Sequence, residues 1–104
     1  MATDQYHEPA NELPEEVRTF ARMITSLTEE SEAIGWYTQR IALEKDEEAK
    51  KIMRNAMHEE MKHFAMDLEY LIRKNPLWKA ILKHVLFSEE DIVERGEEAE
   101  HNIP

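Results

Sequence analysis

At 104 residues the chain is long enough for one small domain and too short to bury a large core alone. It has no cysteine, which excludes disulfides, a thiolate nucleophile and cysteine-based zinc or iron–sulfur sites. Its 23 acidic against 13 basic residues give a formal charge of −10, which argues against nucleic-acid binding and favours the approach of cations.

Two glycines and four prolines in a background of Glu, Lys, Ala, Leu, Ile and Met make a helical composition. Residues 1–11 are polar, contain Pro9 and show no periodicity, so a flexible arm is expected, with His7 a solvated side chain. No basic-then-apolar layout marks a secretory signal, and no apolar run approaches the roughly 20 residues of a membrane span. The expectation is a soluble, intracellular protein.

The domain proper is expected over 12–95. Its first helix should start near Asn11 to Pro14, with Asn11 as cap, Pro14 in the first turn, and Glu15 and Glu16 complementing the helix dipole. Phe20, Leu27, Ile34 and Ile41 recur every seven residues, flanked by a stripe of Met23, Glu30, Tyr37 and Glu44. Together they form a bundle-type seam. Gly35 interrupts it at a cost of about 1 kcal/mol relative to alanine, tolerable if something packs closely there.

Lys45-Asp46-Glu47 reads as a tight turn, with Asp46 capping a second helix that runs to Asn75. Its inward stripe is Ala49, Ile52, Met53, Ala56, Glu60, His63, Phe64, Leu68 and Leu71. So short a connection makes the two long helices antiparallel neighbours. Asn75-Pro76 ends the second helix. A shorter helix is expected over Leu77 to Phe87, and the capping signal Ser88-Glu89-Glu90-Asp91 suggests a last one over Glu89 to Arg95. Gly96 should end it, leaving 96–104 as a frayed tail.

Glu30, Glu60 and His63 are anomalies on these stripes. An ionised carboxylate facing inward is costly unless it is paired or bound to a cation. Glu60 and His63, three apart, share one side of their helix, and an antiparallel hairpin can bring Glu30 opposite them. The set is one lone Glu and one Glu-x-x-His per chain. Di-metal carboxylate bundles use two of each, so two hairpins related by a two-fold axis can complete the site. The expected architecture is therefore all-α: a two-helix hairpin plus a short C-terminal helix, pairing with a second chain into a ferritin-like four-helix bundle. Hard carboxylates with one imidazole per ion suit iron or manganese better than copper. The plainer reading is a mid-helix Glu paired with Lys62 or Arg54 at a surface. Asp67, one turn beyond His63, has the spacing to orient the imidazole but reads first as a surface acid.

Glu29-Glu30-Ser31-Glu32-Ala33-Ile34-Gly35-Trp36-Tyr37-Thr38-Gln39-Arg40, followed by His58-Glu59-Glu60-Met61-Lys62-His63, resembles the encapsulated ferritins, half-length ferritin-like cargo proteins of encapsulin nanocompartments. His7-Glu8-Pro9, Trp78 and Leu86-Phe87 extend the resemblance over nearly the whole chain. It implies a ring-shaped decamer of five dimers, held within an encapsulin shell in the cytoplasm, with a di-iron ferroxidase centre between two chains. The iron ligands would be Glu30, Glu60 and His63 of both subunits, with Tyr37 beside the centre as a further catalytic candidate. Glu29 and Glu32 would form a metal-uptake site for calcium or another divalent ion, against the alternative of a solvated acidic face. Trp36, facing about 100° away from Tyr37, would pack against the partner.

The implied activity is oxidation of Fe(II) to Fe(III) by dioxygen or peroxide. A ring of this kind encloses no storage cavity, so mineral would form in the surrounding compartment. Family members usually carry a flexible C-terminal extension that docks into the shell. No such apolar-and-basic segment is read before Ile103-Pro104, which leaves shell targeting open. Two other readings are a non-enzymatic acidic dimerisation module and a rubrerythrin-like di-metal peroxidase. The latter usually has both Glu-x-x-His motifs on one longer chain.

Overall fold

A computed structural model describes residues 5–102, and all regular structure among them is helical. A 3₁₀ turn (Ala10–Glu12) precedes α1 (Glu15–Leu43), α2 (Glu47–Arg73), α3 (Pro76–Val85) and α4 (Ile92–His101). The chain divides into two compact units, with the boundary between Glu69 and Tyr70. The first holds α1 and most of α2. The second holds the last turn of α2 with α3 and α4.

Pro14, not Asn11, occupies the cap position of α1. A residue preceding proline is pushed out of the helical region, and Leu13 is accordingly extended at φ −85°, ψ 137°. No helix can run through it, so Asn11 is left in the separate 3₁₀ turn. Within α1, the side chains of Thr25, Thr28 and Thr38 donate to the carbonyls of Ala21, Ile24 and Ile34, and that of Ser31 to Thr28. Hydroxyls that would compete with the helix are thus satisfied by it.

The connection Glu44-Lys45-Asp46 organises itself. The Glu44 carboxylate accepts from the backbone N–H groups of Lys45 and Asp46 at 3.1 and 3.0 Å. Asp46 Oδ1 accepts from Ala49 N–H at 2.9 Å, the capping role expected of it. Two long helices joined by three residues form a hairpin. Thr38 meets Met57 through an Oγ1–Sδ contact of 3.6 Å, and eight residues back along α1 Glu30 meets Asp67, ten residues forward along α2. Opposite directions of travel mark an antiparallel pair.

All eight residues of the α1 seam and its flank are partly buried. The α2 stripe departs from expectation at Ile52, which is 66% exposed, and at His63, whose side chain is 45% exposed. Each helix of a hairpin can cover only one stripe of the other, and Ile52 lies off the stripe that α1 reaches. Gly35 is also exposed, and a Cβ built there would meet nothing within 4 Å, so no close packing from its own chain explains it. Among the described residues only Leu71 and Ala99 are buried, both in the second unit. No helix among them is long and apolar enough to cross a membrane.

In the second unit, Asn75 Oδ1 caps α3 by accepting from Trp78 N–H at 3.0 Å, and Pro76 takes the first helical position. This helix ends at Val85, two residues before the expected Phe87. Phe87 itself has φ 63° and a fully exposed side chain. Asp91 Oδ2 accepts from Glu94 N–H at 2.9 Å, so α4 starts at Ile92, not at Glu89. It also runs through Gly96 to His101, so Glu97 to His101 are helical rather than frayed. An interior glycine costs only about 1 kcal/mol, and α4 is tied down around it. Arg95 Nε donates to the His84 carbonyl at 3.0 Å, and His84 Nε2 lies 2.9 Å from Glu98 Oε1. The last two residues of the expected tail, and the first four of the expected arm, lie outside the described residues.

Candidate metal centre

Helical geometry places Glu60 and His63 one turn apart on α2, and Asp67 one turn further along the same stripe. The stripe faces α1 near Glu30. His63 Nδ1 lies 3.0 Å from Glu60 Oε1. The Glu60 side chain is 25% exposed and that of His63 45%. His63 was expected to face inward, yet part of its ring remains open to water on the single chain.

Glu30 and Asp67 define the inner edge of this group. Their carboxyl groups lie within hydrogen-bonding reach of each other. Glu30 Oε1 and Asp67 Oδ2 are shut off from water, and neither receives a hydrogen bond. The electrostatic consequence falls on Glu30, whose pKa is pushed from 4.5 up to about 7. Burial is the leading cause, followed by the hydrogen-bonding and charge of Asp67 and then the charge of Glu60; His63 opposes them. The nearest lysine in sequence offers no relief to Glu60. Lys62 pairs with Glu59 at 2.8 Å and holds that carboxylate below the usual range. The surface-pair alternative for Glu60 therefore fails at Lys62.

Two buried carboxyl oxygens without a hydrogen-bond partner, beside a Glu-x-x-His pair, fit a cation in their chemistry. The donors are hard oxygens plus one imidazole, the kind that suits iron or manganese. No group of three or more His, Asp or Glu side chains among the described residues is close enough to hold an ion within one chain. Asp67 was missed as a member of this group. Its spacing of four from His63 and seven from Glu60 was visible, but its contact with Glu30 depends on the register of the hairpin.

The remaining candidates lie around this group on α1. Tyr37 is partly buried, with the Arg40 guanidinium carbon 5.5 Å from its ring centroid. Trp36 is 46% exposed and, with Gln39 and Arg40, lines an open cavity of about 230 Å³. Glu29 is exposed and Glu32 partly buried. One turn apart, they form an acidic step next to Glu30 in sequence.

Comparison with known proteins identifies ferritin-like relatives. A "Ferritin-like protein" of Thermotoga maritima is 47% identical over 95 residues, 91% of this chain and 83% of the relative. An "Encapsulated ferritin-like protein" of Rhodospirillum rubrum is 38% identical over 92 residues, 88% of this chain and 66% of the relative. The crystal structure of protein ne0167 from Nitrosomonas europaea superposes with a TM-score of 0.83 at 43% identity, covering 86% of this chain and 98% of the other. The EncFtn-like family matches residues 5–89. The match spans both helices of the hairpin, and the chain belongs to the EncFtn-like family.

Proposed function

We propose that the protein is a ferroxidase, oxidising Fe(II) to Fe(III) at a di-iron centre shared by two subunits, for iron storage inside an encapsulin nanocompartment. One observation carries the reading. Two buried carboxylate oxygens, on Glu30 and Asp67, lack any donor beside the Glu60–His63 pair. Carboxylates held in that state attract a multivalent cation, and the acidic surface raises the local cation concentration around them.

Glu30, Glu60 and His63 of one chain would bind iron together with the same residues of a partner. Iron is the substrate here, giving up one electron per ion to dioxygen or peroxide. Tyr37, two turns along α1 from Glu30, would stand beside the centre, and Glu29 and Glu32 would collect divalent ions on their way in. The exposed apolar side chains Trp36, Ile52, Met61 and Met66 supply a surface for partner chains. The assembly would be a homodimer repeated into a ring-shaped decamer, and the shell protein a second partner. The name of the R. rubrum relative supports the compartment.

The test is a ferroxidase assay on the wild type and on Glu30→Ala, Glu60→Ala and His63→Ala, with native mass spectrometry of each. Fe(II) oxidation should fall by at least about tenfold in all three. Undiminished oxidation in all of them would overturn the reading, as would full activity in a preparation that is monomeric at assay concentration.

A further inference from the structure

We propose that Asp67 is a further metal-binding carboxylate, so that each chain presents three carboxylates and one imidazole to the ions rather than two and one. The inference rests on the reading that Glu30, Glu60 and His63 bind metal, and it adds a ligand to that site. It starts from an arrangement that would be a poor way to hold two helices together. The Asp67 and Glu30 carboxyls face each other across the hairpin, each with an oxygen out of water and without a donor.

A structural contact at this point would be better served by an amide, which brings a donor to meet the acceptor. Once Glu30 is ionised the pair is two acceptors in contact, an arrangement that makes sense when something positive comes between them. Position supports the same conclusion. Asp67 shares the α2 stripe of Glu60 and His63 and meets Glu30 across the hairpin, so an ion held there with a partner chain's help would have an Asp67 oxygen at its flank. A third carboxylate would favour hard, highly charged ions over softer ones.

Asp67→Asn separates a ligand from a positioning residue. The asparagine keeps the size and can donate to Glu30, so a merely positional role survives while the anionic oxygen is lost. Binding is read by calorimetric titration with Co²⁺, an air-stable divalent ion, alongside Glu30→Gln and Glu60→Gln. Circular dichroism and native mass spectrometry check fold and assembly. D67N should bind Co²⁺ at least about tenfold more weakly than wild type, in the same direction as E30Q and E60Q. D67N binding like wild type while E30Q and E60Q have lost the ion would overturn the assignment of Asp67 and leave the centre intact. All three binding like wild type would overturn the centre itself. Anomalous diffraction from Co²⁺-loaded wild type decides the matter independently of any variant. An Asp67 oxygen within about 2.5 Å of the ion supports the assignment, and one beyond about 3.5 Å overturns it.

Discussion

Glu30→Gln should stabilise the metal-free protein at alkaline pH. Glu30 titrates at about 7 in the folded chain against 4.5 in an unconstrained one. Between those values the folded state keeps a proton that the unfolded state has already lost. Folding stability therefore declines as pH rises from 4.5 through 7 and stays low above it. The span of about 2.5 on the pH scale corresponds to about 3 kcal/mol at 1.36 kcal/mol per unit. Because the side chain is only partly buried, solvent screening reduces the expected effect to about 1–2 kcal/mol. Glutamine removes the charge, and its amide can donate to the orphaned Asp67 oxygen. The assay is urea denaturation of chelator-treated wild type and variant at one protein concentration, at pH 5 and pH 8. The two should agree within about 0.5 kcal/mol at pH 5, with E30Q the more stable by about 1–2 kcal/mol at pH 8. A difference that does not change with pH, or a wild type that is the more stable at pH 8, would refute the electrostatic account of this pair.

Two further expectations concern the backbone. Gly35→Ala should raise stability by about 0.5–1 kcal/mol in thermal unfolding, since the added Cβ meets nothing within its own chain; a drop accompanied by loss of oligomer in native mass spectrometry would reveal a partner chain against that glycine. Asp46→Ala removes the acceptor for Ala49 N–H and should lower the denaturation midpoint by an amount equivalent to about 1 kcal/mol, whereas an unchanged midpoint would show the cap to be redundant.

The hairpin was legible because its signals are local or periodic. The seven-residue recurrence from Phe20 to Ile41 marks the face of α1, and Asp46 and Asn75-Pro76 punctuate α2. Glu60 and His63 could be paired from spacing alone. Asp67 could not be matched to Glu30, because that contact is set by how two helices of 29 and 27 residues slide against each other. Ile52 was misplaced for the opposite reason. An apolar residue at the right period marks a face to be covered, and the pattern does not say whether a neighbour in the same chain covers it. Gly96 misled because its propensity cost is small beside a cap at Asp91 and the Arg95 and Glu98 contacts with His84.

The first unit contains no fully buried side chain among its described residues, which bears on the life of a newly made chain. Local opening is cheap where little surface is sealed from water, and proteases cut what opens. A lone hairpin should therefore be short-lived in a cell. If two chains share the proposed centre, its abundance would be governed by how soon after translation it meets a second copy, and chains made in excess would be degraded instead of accumulating as a reserve.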